Sequence, residues 1–201
     1  SAFTWERVCR SIARCFEQRV PGADTRPLQS VDYDLFAEDS GLWEGPCPAQ
    51  IALAQRIHVS QVMISREQIA PFWRWFWHAT TTLRRTAAWV AGEGRAARGF
   101  AGFIKKDSAC ALLACANPGT FLIRFSTSTP GALAVHYTSS RGQGSVTSVV
   151  VNVSARGELS CCQEHGSTGT FRTLDELALS TKQLVCLHPD IPKAEVFYRP
   201  Q

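Results

Sequence analysis

Up to about Gly92 the apolar positions recur every three or four residues, and beyond it they alternate or gather in short β-branched runs. From Thr4 to Arg19, the residues Trp5, Val8, Ile12, Cys15 and Phe16 make one apolar face, which predicts a helix. The stretch from Pro21 to Pro48 is rich in Pro, Gly and Asp and reads as loop, with Leu35, Phe36 and Trp43 as anchors onto the body. A short helix is expected from Ala49 to Ile57. The longest helix is expected to open at Pro71, where a missing N–H costs nothing, and to run to about Ala91. Its first turns hold Phe72, Trp73, Trp75, Phe76 and Trp77, too many aromatics for one stripe, so they predict a helix buried between neighbours. Gly92-Glu93-Gly94 ends it. The spacing of Gly92, Gly94 and Gly99 is not read as a nucleotide-binding loop, because that motif follows a strand and this run follows a helix.

In the second half, Asp107 or Ser108 can cap a short helix through Ala116, with Ala109, Leu112 and Leu113 on its inner face. Asn117-Pro118-Gly119 is a turn. Strands are expected over Thr120–Ser126, Ala132–Tyr137 and Val146–Val153, and a further one over Gly157–Gln163. Ser126 to Gly131 reads as a polar loop, and Thr173 with Glu176 forms a capping box for a helix reaching Leu179 or beyond. The order of helix, antiparallel strands and helix predicts an α+β fold whose central sheet is flanked by two helices, behind an all-α N-terminal unit.

Composition narrows the class without naming a function. With 201 residues, 45% hydrophobic and 19% charged, the chain can bury a sizeable core and is not disordered. A net charge of +4 is mild, and Arg95, Arg98, Lys105 and Lys106 form its only dense basic patch. No apolar run approaches a bilayer span, and the first residues lack the charged-then-apolar pattern of a secretory leader. The eight cysteines are mostly scattered through apolar segments without a CxxC pair, which predicts reduced thiols and a cytosolic setting. The sequon at Asn152-Val153-Ser154 is read as chance.

One residue stands out chemically. In Phe121-Leu122-Ile123-Arg124-Phe125 a period of two puts Phe121, Ile123 and Phe125 on one face and Leu122, Arg124 and Ser126 on the other. If helices cover both faces, Arg124 is a buried guanidinium that needs an anion or a carboxylate. The next loop, Ser126-Thr127-Ser128-Thr129, offers hydroxyls and backbone N–H groups and no acid. Donors converging on a planar, bidentate arginine suit an oxyanion, and a phosphate above others. The competing reading pairs Arg124 with an Asp or Glu distant in sequence.

Resemblance adds to this. Gly119-Thr120-Phe121-Leu122-Ile123-Arg124-Phe125-Ser126 resembles the SH2 strand that carries the phosphotyrosine-binding arginine. Gly102-Phe103-Ile104-Lys105-Lys106 and Ala111-Leu112-Leu113 resemble the start and body of the first SH2 helix, and Phe171 to Leu177 the opening of the second. More narrowly, Pro71-Phe72-Trp73-Arg74-Trp75 is similar to the aromatic helix of the linker domain of the STAT family, the signal transducers and activators of transcription. Leu187-His188-Pro189-Asp190-Ile191-Pro192-Lys193 resembles the segment that closes a STAT SH2 domain. The resemblance implies a helical linker domain over residues 1–98 and a STAT-type SH2 domain over 99–201. By position it implies Arg124 as the main phosphate ligand, Lys106 as the basic partner on the first helix with Lys105 as its rival, and Ser126 and Ser128 as loop donors. Thr127, counted with them among the phosphotyrosine-binding residues, stands where several family members carry an acid.

The implied ligand is a phosphotyrosine-containing peptide or protein, and the implied assembly a phosphorylation-dependent homodimer of the full-length protein. DNA would be reached only through regions absent from this chain, no membrane is involved, and the implied location is cytoplasmic with shuttling to the nucleus. The coiled coil, DNA-binding barrel and tail tyrosine of a full STAT are not in this sequence, whose tyrosines are Tyr33, Tyr137 and Tyr198. The expectation is a linker–SH2 piece of a longer protein or a shorter relative keeping this pair. Two further readings are an adaptor or ubiquitin-ligase substrate-recognition unit, and an SH2-like scaffold that binds no phosphate. Cys161, Cys162 and His165 fall short of the four ligands of a structural zinc site, so no metal or cofactor is expected. His136 lies near where a phosphotyrosine ring would sit, or is a core histidine. No catalytic grouping is present in the pattern, and no enzymatic activity is expected.

Overall fold

The computed structural model describes residues 2–20, 27–86, 100–139, 145–162 and 168–197. A short strand β1 (Ala2–Thr4) leads into α1 (Trp5–Arg19), capped by the Thr4 side chain, which accepts from the Arg7 N–H. Trp5, Val8, Ile12 and Phe16 are buried, as the periodicity predicts. The segment expected to be loop contains a helix instead, α2 (Ser30–Glu38), opened by a capping box between Gln29 and Asp32. Polar and acidic residues hide its pattern. Leu35, Phe36 and Ala37 nevertheless bury, and Phe36 is fully enclosed. Helix α3 (Pro48–Gln55) follows, then β2 (Met63–Ser65), which pairs with β1.

Helix α4 spans Arg66–Thr86, so Pro71 lies inside it and does not open it. The start is set by Ser65 and Gln68, whose side chains accept from each other's backbone N–H groups at 3.2 and 2.9 Å. The expected end at Ala91 and the Gly92–Gly94 connector lie outside the described residues. Nor is the helix buried all round. Phe72, Trp75 and Phe76 are in the core, Trp73 is half-buried, and Trp77 is 56% exposed. The Arg19 guanidinium covers the Trp77 ring at 3.2 Å and also donates to Thr80 and Thr81, which fastens the end of α1 to α4.

The second half builds one sheet beside these helices. Strand β3 (Phe100–Gly102) precedes α5 (Lys106–Leu113), and β4 (Thr120–Phe125), β5 (Leu133–Thr138), β6 (Val146–Val153), β7 (Leu159–Cys162) and β8 (Thr168–Phe171) pair in sequence order, all antiparallel. Helix α6 (Leu174–Ser180) follows, with Thr173 capping Glu176 as expected. Then come β9 (Cys186–Leu187), β10 (Ile191–Pro192) and α7 (Lys193–Val196). The sheet is antiparallel-rich rather than purely antiparallel. Along its outer edge β4 takes two parallel partners, β9 at its start and β3 at its end. Helix α5 begins at Lys106 without a side-chain cap, so neither Asp107 nor Ser108 caps it, and Leu112 faces solvent while Ala109 and Leu113 bury.

Alternation along β4 divides the core. Phe121, Ile123 and Phe125 join a large cluster that runs without a break into the N-terminal helices, with Phe103 as the link. Its ring meets Phe36 at 5.0 Å, Trp75 at 5.6 Å and Phe125 at 4.7 Å. Leu122, on the other face, packs with Ala109 and Leu113 in a small cluster under α5.

Candidate functional site

Arg124 shares the α5 face of β4 with Leu122 and is only 5% exposed. Its Nε donates to His136 Nε2 at 2.8 Å and its Nη1 to the Phe125 carbonyl at 2.6 Å. Among the described residues Nη2 has no partner, and none of them brings a carboxylate within ion-pair distance. Burial lowers the guanidinium's proton affinity, while Asp39, Cys110 and Asp107 oppose that drop. Two acids distant in sequence therefore influence Arg124 without pairing with it: Asp39 just after α2, and Asp107 on α5.

His136 sits one strand over in register with Leu122 and with Ser148 on β6, fully buried. Because Arg124 donates to Nε2, the proton of the neutral ring belongs on Nδ1, and the Ser148 hydroxyl lies 3.0 Å from that atom. Cys110 Sγ stands at 4.0 Å on the same side. Burial first, then the charges of Arg124 and Lys106, push the imidazole pKa down to about 4. His136 is thus a core histidine whose ring accepts from Arg124. It holds the arginine.

The two lysines part company. Lys105 reaches Glu38 at the end of α2, 2.5 Å away. Lys106, the exposed first residue of α5, contributes to the field at His136 and so lies on the Arg124 side. In the loop after β4, the buried Ser126 hydroxyl accepts from the Thr129 N–H at 3.1 Å and lies 3.2 Å from the exposed Ser128 hydroxyl, with Thr127 half-buried between them. Arg124, His136 and Lys106 thus share one face, with the Ser126–Ser128 loop following directly after the strand. Lys105 is turned to the helical unit. Sequence reading missed Ser148, Cys110 and Asp39, which only strand register and helix docking bring near.

Residues 100–180 match the SH2 domain family. This part of the chain is an SH2 domain. SH2 domains are signalling modules that bind phosphotyrosine-containing peptides. Arg124 lies within that match, on the face of β4 turned away from the large core. A cavity of about 290 Å³ on the opposite face, lined by Val135, Tyr137, Val151, Leu177 and Leu184 among others, is mostly apolar and lacks any residue of the Arg124 group.

Proposed function

We propose that the chain is the phosphotyrosine-reading unit of a STAT-like transcription factor, in which an SH2 domain works on a helical linker domain. Phosphorylation of a tyrosine elsewhere would create the ligand, and capture of it would drive dimerisation or recruitment. DNA contacts would come from other regions, the chain itself would have no catalytic activity, and it would act in the cytoplasm and shuttle to the nucleus. The STAT reading is supported by the aromatic run Pro71–Trp75 within α4 and by the closing segment Leu187–Lys193, together with the unbroken packing of the helical unit on the sheet.

One observation carries the ligand assignment: a buried guanidinium, held at Nε and Nη1, keeps Nη2 unpartnered among the described residues, with Lys106 near and hydroxyls on the next loop. A phosphate would take Nη2 and compete with the neutral partners of Arg124, and charge-assisted bidentate binding outweighs a neutral histidine contact. Arg124→Lys keeps the charge and loses the fork, so titration with a tyrosine-phosphorylated peptide should show a loss of about 2–4 kcal/mol in binding. Equal affinity in that variant would remove Arg124 from the role. The internal contacts of Arg124 also favour a second reading, a domain that keeps its arginine for structure. Wild-type protein that ignores the peptide altogether would establish it.

A further inference from the structure

The loop from Ser126 to Gly131 is held at both ends by α4. Trp75 Nε1 donates to the Ser126 carbonyl at 2.8 Å in a buried setting, and Thr82 Oγ1 donates to the Gly131 carbonyl at 2.6 Å. Between them His78 lies so close to Gly131 that a Cβ there would stand 3.2 Å from the His78 Cβ, and Gly131 has φ +79°. Positions 75, 78 and 82 fall on one helix face, so a single side of α4 lies along the loop.

These contacts govern where the loop's donors point. A trans peptide is planar, so the Ser126 carbonyl and the Thr127 N–H point in opposite directions. The indole that fixes the carbonyl therefore aims the Thr127 N–H away from α4. At the far end, Thr82 fixes the peptide whose N–H, on Ala132, closes onto the Thr129 carbonyl at 3.1 Å. The Ser126 N–H in turn donates to the Ala132 carbonyl at 3.0 Å, and the Ser126 hydroxyl accepts from Thr129. The loop is a small closed circuit with two outside anchors, both on α4.

We propose that Trp75 and Thr82 are positioning residues of the phosphotyrosine site, so that the helical unit sets the affinity of the SH2 domain for its ligand. This rests on the phosphotyrosine reading above. Losing the indole N–H leaves a buried carbonyl without a partner, and the loop must turn toward water to satisfy it. The donors that Thr127 and Ser128 present then spread over several orientations.

The test uses the whole chain with Trp75→Phe, which keeps an aromatic ring and loses the N–H, and Thr82→Val, which keeps the shape and loses the hydroxyl. Trp73→Phe removes an indole N–H from the same helix with no bond to the loop and serves as the control. Each test variant should bind a tyrosine-phosphorylated peptide on the order of tenfold more weakly, the effect of one hydrogen bond, while the control binds as wild type. Without peptide, hydrogen exchange at the Thr127, Ser128 and Thr129 amides should quicken in the test variants and stay unchanged in β6 and β7. Affinity within twofold of wild type together with unchanged loop exchange would overturn the inference, as would an equal loss in the Trp73→Phe control. If wild-type protein binds no such peptide, the phosphotyrosine reading fails, and loop exchange alone decides whether α4 orders the loop.

Discussion

At the scale of single residues, the Arg124–His136 contact makes a cation depend on a neutral acceptor. The groups around the ring are Arg124, Lys106 on α5, Cys110 and Ser148, and the positive ones dominate. Protonating His136 would add a third positive charge and replace an acceptor with a donor facing the Arg124 N–H. Its folded pKa of about 4 lies below the ordinary histidine value of 6.5, so the unfolded chain binds the proton more readily. This contribution to stability is complete above about pH 6.5 and is lost as pH falls toward 4. Urea midpoints measured across that window should decline with acid in the wild type. In His136→Gln, whose amide oxygen can still accept from Arg124, the decline should be visibly shallower. Parallel curves for the two proteins would show that another group governs the acid side.

At the scale of elements, α2 does more than its weak pattern suggests. Phe36 is fully buried and meets the rings of Tyr33, Phe72, Trp75, Phe76 and Phe103 at 5.0 to 6.0 Å. Phe36→Ala should cost about 3–5 kcal/mol of unfolding free energy, because so many neighbours cannot all relax into the space. A loss below about 1 kcal/mol, within what a surface change produces, would mean that α2 is not part of the cooperative core. The loop end behaves differently. At Gly131 a left-handed φ and the close His78 side chain both oppose any side chain, so Gly131→Ala should destabilise by about 1 kcal/mol or more, read from the same denaturation curves. Near the C-terminal end, Lys193 Nζ donates to the Ala178, Leu179 and Thr181 carbonyls and so closes the end of α6 with a cation at its negative pole.

Across the whole molecule, the two halves share one core. Phe103 has partners in α2 and α4 on one side and Phe125 on the other, and Lys105–Glu38, Trp75–Ser126 and Thr82–Gly131 add polar links across the same junction. A fragment of residues 100–197 would uncover Phe103 and Phe125, which pack on Phe36, Trp75 and Phe76. Such apolar exposure is worth roughly 1.5–3 kcal/mol for each large side chain. The fragment should therefore melt well below the full chain or aggregate, as followed by circular dichroism and light scattering. An identical melting temperature would show that the halves are energetically independent.

The sequence by itself determined what depends on near neighbours. Apolar spacing located α1, alternation placed Arg124 opposite Phe121, Ile123 and Phe125, and the capping pair Thr173 and Glu176 marked α6. The start of α4 was also written locally, in Ser65 and Gln68, but Pro71 was the louder signal and it misled. Helix α2 was concealed by its polar composition, since its burial comes from what packs on it rather than from its own stripe. Tertiary structure decided the rest of the site: that Lys105 turns to Glu38 while Lys106 stays near Arg124, that His136 and Ser148 line up beside the guanidinium, and that α4 holds the loop. Each of these depends on a cross-strand register or on the docking of a helix. Such pairings join residues far apart in the chain, and no local period records them.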